Sequence, residues 1–108
     1  MRAIESLGAT SEILAGIDTR LGLIAHREVR DEEALAHMQR AERSLGPGFR
    51  SQERGLYAFT LARVLRALGR EPERVVALAE EAIAAYTTAG ALYAGQVAEI
   101  RAWQASSR

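Results

Sequence analysis

Apolar residues recur every three or four positions along this chain, in five segments separated by turn signals. That spacing places the apolar side chains of a segment on one face of a helix, where they normally face the core. No segment alternates apolar and polar residues for long enough to form a strand. Ala, Leu, Glu and Arg, which favour helices, are abundant. The sequence therefore predicts an all-α fold of about five helices.

Turn and capping residues separate the five predicted helices. The first helix runs from about residue 11 to residue 27, and Asp31 is a suitable N-cap for the second. Ser51 can cap the third helix and Gly69 ends it, while Pro72 fits the first position of the fourth. The five apolar stripes are Ile13, Leu14, Ile17, Leu21 and Ile24; Ala34, Leu35, Met38, Ala41 and Leu45; Tyr57, Leu61, Val64, Leu65 and Leu68; Val75, Ala79, Ala82, Ile83 and Tyr86; and Tyr93, Val97, Ile100 and Trp103.

An internal repeat suggests how these helices are arranged. Residues 2–8 recur as residues 40–46, and a weaker copy covers residues 85–90. Each copy closes one helix and precedes another, so the repeating unit is a helical hairpin of about 40 residues. A single hairpin cannot bury both of its faces, but stacked hairpins can. Short connections make neighbouring helices antiparallel.

The first hairpin resembles the tetratricopeptide repeat in the spacing of its small and apolar residues. The matching positions are Leu21-Gly22, Ala25, Ala34, Met38, Ala41 and Pro47. A looser second copy contains Leu61-Ala62, Leu65, Leu68-Gly69, Val75, Ala79 and Ala82, with one extra residue in its turn. Met38 replaces an aromatic residue of the family, Ala25 replaces a tyrosine, and Val75 replaces a small residue. The motif is degenerate, so other paired-helix repeats remain alternatives.

This resemblance implies a short right-handed solenoid that forms a single domain over residues 1–108. Residues 1–8 would be the end of a preceding or capping helix, and residues 11–46 the first hairpin. Residues 51–90 would form the second hairpin, and residues 91–105 a C-terminal capping helix. Repeats of this kind recruit partners in larger bacterial signalling and regulatory proteins, and a fragment of such a protein is one interpretation of this chain that the sequence leaves open. The implied function is a non-enzymatic interaction module that binds a peptide or a partner protein.

Charge is distributed unevenly although it sums to zero over the chain. Residues 48–74 contain six Arg and three acidic residues. In tetratricopeptide arrays the first helix of each hairpin lines the concave groove, so an acidic peptide or a C-terminal carboxylate is expected to dock there. The predicted groove residues are Thr19, Leu23 and His26 on the first helix, and Phe59, Arg63, Arg66 and Arg70 on or just after the third.

A solvated basic face without a ligand is the alternative interpretation of these arginines. Every basic residue apart from the two histidines is Arg and none is Lys, which is the bias expected of a GC-rich coding sequence. The Lys and Asn residues of the carboxylate clamp in chaperone-binding family members are absent, so that ligand is not implied. Nucleic-acid binding by the basic middle hairpin is a third, less favoured hypothesis, because the neutral chain lacks a strong positive field.

Self-assembly is the alternative function, since a solenoid exposes apolar faces at its ends unless something covers them. Ile100 and Trp103 lie in the last predicted helix. Either they cap the C-terminal end by packing within the chain, or they form an exposed surface through which two chains associate. The expected partners are therefore a protein or peptide, or a second copy of this chain in a homodimer.

Catalysis and cofactor binding find little support in the residues. The chain has no cysteine, which excludes disulfides, iron–sulfur clusters and cysteine-based zinc sites. His26 and His37 could form a metal pair with Glu33 as a third ligand, but without a convergent ligand set we interpret them as structural. No Gly-x-Ser-x-Gly elbow or P-loop occurs. We expect no enzymatic activity, no metal and no cofactor.

The sequence also bears on cellular location. The longest apolar runs are only a few residues, so no transmembrane helix is expected. Glu5 interrupts the start of the chain before an apolar region develops, which does not fit a secretory signal peptide. A cytoplasmic protein is the expectation that follows.

Overall fold

The computed structural model describes residues 7–46 and 49–106, and their side chains from residue 11 onward. A turn of 3-10 helix, Ala91–Tyr93, precedes the last α-helix. Over the described ranges there are no strands, which confirms the all-α prediction and the five helices. Residues 1–6 of the predicted N-terminal helix end, and the Pro47-Gly48 turn, lie outside these ranges. Residues 7 and 8 belong to the first observed helix, which therefore begins about four residues before the predicted start at residue 11. The helices are α1 (Leu7–Arg27), α2 (Asp31–Arg43), α3 (Ser51–Leu68), α4 (Pro72–Ala89) and α5 (Ala94–Ala105).

Helix α3 is the centre of the fold. Helices α1 and α2 pack against each other, as do α3 and α4, and α3 also contacts α1 and α2. Nine of the eighteen residues of α3 are buried. The largest fully buried aliphatic side chains include Leu61 and Leu65 on α3, Met38 on α2 and Ile100 on α5. The stripes predicted for α2, α3 and α4 are buried as expected apart from three partly buried leucines, Leu35, Leu45 and Leu68.

The stripe predicted for the first helix faces solvent instead. Its five aliphatic side chains are between 40% and 61% exposed. Helix α1 packs through its opposite face of small residues, where Ala15, Gly22 and Ala25 are buried. A Cβ atom added at Gly22 would lie 2.5 Å from Met38 Sδ, so the missing side chain allows α1 and α2 to approach closely. The expectation that this stripe is buried was wrong, because the small-residue face forms the helix contact.

Two turns use the left-handed backbone region in the same way. Gly69 has φ 68° after α3, and the N–H of Arg70 bonds to the carbonyl of Leu65 at 2.9 Å. Val29 has φ 61° after α1, and the N–H of Arg30 bonds to the carbonyl of Ala25 at 2.8 Å. The sequence indicated the end of α3 through Gly69. It gave no such signal at the end of α1, where the β-branched Val29 is strained by about 1–2 kcal/mol.

The predicted caps differ from the observed ones by one residue. Arg30 and Arg50 are the N-cap residues of α2 and α3, and neither makes a side-chain cap hydrogen bond. Asp31 and Ser51 are instead the first helical residues, so Asp31 interacts with the helix dipole without capping it. Pro72 does begin α4, as predicted.

Close packing of α3 on α4 depends on Gly55. A Cβ atom at this position would lie 2.8 Å from ring carbons of Tyr86. We therefore expect Gly55→Ala to lower the free energy of unfolding by about 1–3 kcal/mol through overpacking, despite the better helix propensity of Ala. Gly95→Ala in α5 is the matched control, because no atom lies within 4 Å of its added Cβ. The control should be neutral or stabilising by up to about 1 kcal/mol.

Urea denaturation followed by circular dichroism measures both variants. Equal midpoints for Gly55→Ala and Gly95→Ala would show that α3 and α4 are further apart than the structure has them.

Candidate protein-interaction surface

Helix α5 covers part of the groove that the sequence predicted on α3. Phe59 is buried, and the ring of Trp103 meets it edge-on with 5.4 Å between the centroids. The guanidinium carbon of Arg66 lies 3.7 Å from the Trp103 ring centroid. Arg66 Nη1 also donates a hydrogen bond to the Trp103 carbonyl at 3.1 Å. Phe59 and Arg66 are thus engaged within the chain.

The other two arginines of the predicted site also contact neighbouring side chains. The Arg63 guanidinium lies 4.0 Å from the centroid of Phe59 and 3.8 Å from a Glu99 carboxylate oxygen. Burial lowers the pKa of Arg63, although Glu99 acts in the opposite direction. Arg70 is hydrogen-bonded to Glu32. The acidic-peptide site stays a prediction, but its cations already have intramolecular partners.

The predicted groove residues of α1 do not form an open surface together. Thr19 is fully buried, and its hydroxyl donates a hydrogen bond to the Ala15 carbonyl at 2.8 Å. Leu23 is half-buried. His26 Nδ1 lies 2.6 Å from a carboxylate oxygen of Asp31, so this side chain links the two ends of the α1–α2 turn. Thr19 in particular is inaccessible to a groove ligand, because it faces the interior of the hairpin.

Ile100 and Trp103 pack within the chain. Ile100 has no exposed surface, and Trp103 is half-buried against Phe59 and Arg66. Of the two alternatives weighed for these residues, intramolecular packing is therefore the one observed. Ile100 is unavailable for self-association because its side chain belongs to the core.

A bidentate ion pair joins α1 to α3. Arg20 Nη1 and Nη2 donate to the two carboxylate oxygens of Glu53 at 2.9 and 3.0 Å, and Nη1 also donates to the Gly16 carbonyl at 3.1 Å. The hydrogen bond from Arg20 lowers the pKa of the Glu53 carboxyl below its ordinary value. Beside the pair lies an open cleft of about 440 Å³. Its lining is Glu12, Ile13, Gly16, Ile17, Arg20, Phe49, Arg50 and Glu53.

The most extensive exposed apolar surface on the described side chains lies on α1. We define the α1 apolar face as Ile13, Leu14, Ile17, Leu21 and Ile24, all of which are at least 40% exposed. It extends over eleven residue steps, or about 16 Å of helix. Monomeric proteins rarely expose contiguous apolar surface of this kind unless it binds something. The other exposed large apolar residues, Val29, Val76 and Leu92, belong to other segments of the chain.

The sequence did contain a signal for this surface. Helix α1 carries a stripe of large aliphatic residues on one side and a second stripe of small residues, Ala15, Gly22 and Ala25, on the other. Two candidate packing faces on one helix allow one of them to remain free. The aliphatic stripe alone was interpreted as the core face, and that interpretation missed the surface.

The two histidines contact different carboxylates. His26 contacts Asp31, and the ring nitrogens of His37 lie 3.9 Å from carboxylate oxygens of Asp18 and Glu33. In the part of the chain that the structure describes, no group of three or more His, Cys, Asp or Glu residues could hold a metal ion. None of the helices seen there has the length and apolar character needed to cross a bilayer.

Comparison with known proteins does not add a relative. No protein-family model, curated protein or solved structure matches the chain.

Proposed function

We propose that this chain is a non-enzymatic protein-interaction module of tetratricopeptide-like helical hairpins, and that its partner docks on the α1 apolar face. The exposure of five aliphatic side chains along one side of a single helix carries the proposal. A folded chain keeps such a surface at a cost in solubility, which a partner that covers it removes.

The contacts between helices support the hairpin part of this proposal. Helices α1 with α2 and α3 with α4 make the most extensive contacts, α2 with α3 and α4 with α5 make the next, and α1 with α3 follows. Each element thus contacts its neighbours along the chain, which is the pattern of stacked hairpins. A Cβ atom at Gly22 would also lie 3.3 Å from the Ala34 carbonyl oxygen, at two small-residue positions of the repeat signature.

Covering the α1 apolar face supplies part of the free energy that a reversible complex requires. Full burial of one Leu or Ile side chain contributes about 1.5–3 kcal/mol, so burying the exposed half of five contributes roughly 4–7 kcal/mol. Association costs about 4–15 kcal/mol in lost freedom, so the partner must supply apolar surface of its own. We therefore expect a weak, reversible complex.

The predicted concave groove is the less supported docking place. Arg63, Arg66 and Arg70 would have to exchange their contacts with Glu99, Trp103 and Glu32 for contacts with a ligand. A partner that docks on the aliphatic side chains of α1 displaces only water from them.

Differential capture tests the proposed function. The variant Ile17→Arg with Leu21→Arg places two charges in the middle of the face. The matched control, Val76→Arg with Leu92→Arg, places the same two charges at exposed apolar positions outside it. We expect polypeptides that are retained by the unsubstituted chain and by the control to be lost from the α1 variant, as read by mass spectrometry. Circular dichroism checks that all three chains fold alike.

The opposite result is equally clear. If the folded α1 variant retains the same polypeptides, including further copies of the chain itself, as the control does, then the α1 apolar face is not the docking surface.

A further inference from the structure

We infer that the partner of the α1 apolar face is a second copy of this chain, whose α1 lies antiparallel across a two-fold axis near residue 19. This inference rests on the proposed function, because it takes the α1 apolar face as the docking surface. It goes further by naming the occupant and the register.

Four of the five residues of the face are spaced symmetrically about residue 19, whereas the mirror position of Ile13 is the buried Ala25. Ile17 and Leu21 lie two positions on either side of it, and Leu14 and Ile24 lie five positions on either side. In a two-fold interface, residue i of one copy contacts residue j of the other, and j contacts i. An antiparallel pair therefore places Ile17 against Leu21 and Leu14 against Ile24, twice each. The steps of three, four and three between these residues are those of the apolar seam between paired helices.

Charged side chains next to the face are held away from it by contacts within the chain. Arg20 is drawn towards α3 by its bidentate pair with Glu53. Asp18 is drawn towards α2 by Arg40, whose Nε lies 3.4 Å from its carboxylate. These pairs leave a continuous aliphatic strip between them. A second helix can approach that strip without burying an unpaired charge.

The two ends of the face favour the antiparallel orientation. Glu12 precedes the face, where it lines the cleft beside Arg50 and Glu53, and Arg27 follows the face. An antiparallel mate brings the Glu12 end of one copy near the Arg27 end of the other. A parallel mate brings Glu12 near Glu12 and Arg27 near Arg27. Opposite charges at an interface rim set its orientation more than its affinity.

Cysteine cross-linking tests both the occupant and the register, because the chain contains no cysteine. Leu14 and Ile24 are ten residues apart, about 15 Å along the helix. A disulfide requires Cα atoms within about 7 Å. In the antiparallel pair, Leu14→Cys mixed with Ile24→Cys therefore forms a mixed disulfide dimer, whereas neither variant links efficiently to itself. The control is a mixture of Val76→Cys with Leu92→Cys, and its rate of disulfide formation is the background rate.

We expect the mixed Leu14→Cys and Ile24→Cys dimer to form roughly tenfold faster than the background mixture, since association raises the effective thiol concentration. Adding Ile17→Arg to both partners should return the rate to background while circular dichroism shows an unchanged fold. Sedimentation of the unsubstituted chain at high micromolar concentration should show a dimer.

Three results would overturn the inference. The unsubstituted chain sediments as a monomer at that concentration, the mixed dimer forms no faster than background, or each single variant links to itself as fast as the mixture. Suppose that the chain is monomeric but the Ile17→Arg with Leu21→Arg variant still loses captured polypeptides. In that case the partner is not a second copy of this chain, and the proposed docking surface stands. If that variant loses nothing either, both fail.

Discussion

Leu65→Ala is expected to lower the free energy of unfolding by about 2–5 kcal/mol, whereas Ile17→Ala should change it by less than about 0.5 kcal/mol. Leu65 is fully buried on α3 at the centre of the fold, and its truncation leaves a cavity lined by the core. Ile17 is about half exposed, so its truncation removes little packing. Urea denaturation followed by far-ultraviolet circular dichroism measures both changes.

These measurements belong at low protein concentration, where mass action favours the monomer. Leu65→Met is the matched control, because it conserves most of the side-chain volume and should cost less than about 1.5 kcal/mol. Ile17→Ala should become more destabilising as the concentration rises and the proposed dimer forms. If instead Ile17→Ala is as destabilising as Leu65→Ala in dilute solution, the α1 apolar face is covered within a single chain.

Trp103→Ala is expected to lower the free energy of unfolding by about 2–3 kcal/mol, less than the 3–5 kcal/mol typical of a fully buried ring because Trp103 is half-buried. The substitution removes the edge-to-face contact with Phe59 and the cation–π contact with Arg66. It also leaves Phe59 facing a gap. Circular dichroism is the appropriate probe, because Trp103 is the single tryptophan of the chain and its fluorescence is lost in the variant.

Two comparisons separate packing from self-association at this position. Trp103→Phe keeps an aromatic ring over Phe59 and should retain most of the stability, whereas Leu92→Ala at a position that is 85% exposed should have almost no effect. Sedimentation of Trp103→Ala should match that of the unsubstituted chain under folding conditions. An unchanged stability together with a lost dimer would move the interface from α1 to α5.

The proposed interface lies on a different helix from the self-association surface that the sequence suggested. The sequence suggested an uncovered end at the C-terminal helix, through Ile100 and Trp103. The structure buries Ile100 and packs Trp103 on α3, and it leaves the aliphatic side of α1 uncovered. The proposed self-association surface therefore lies on α1 and not on the C-terminal helix.

The predicted groove and the proposed α1 dimer would depend on charged side chains to different degrees. The predicted groove depended on a basic stripe, and its arginines are each placed beside an aromatic ring or a carboxylate of the same chain. The α1 apolar face carries almost no charge of its own, since Arg20 and Asp18 are paired to its sides. An association through this face should therefore depend only weakly on salt.

Local sequence determined where the helices begin and end. Apolar spacing, Gly69 and Pro72 act over a few neighbouring residues, so their effects can be predicted without knowing the fold. The start of α1 at Leu7, the shift of two N-caps by one residue and the strained helix end at Val29 were not predicted. Tertiary structure alone decided which face of each helix is covered. Ile17 and Leu65 occupy similar positions in similar stripes, yet one is half exposed and the other fully buried. Burial depends on whether another helix lies on that side, and that is set by contacts between residues far apart in the chain.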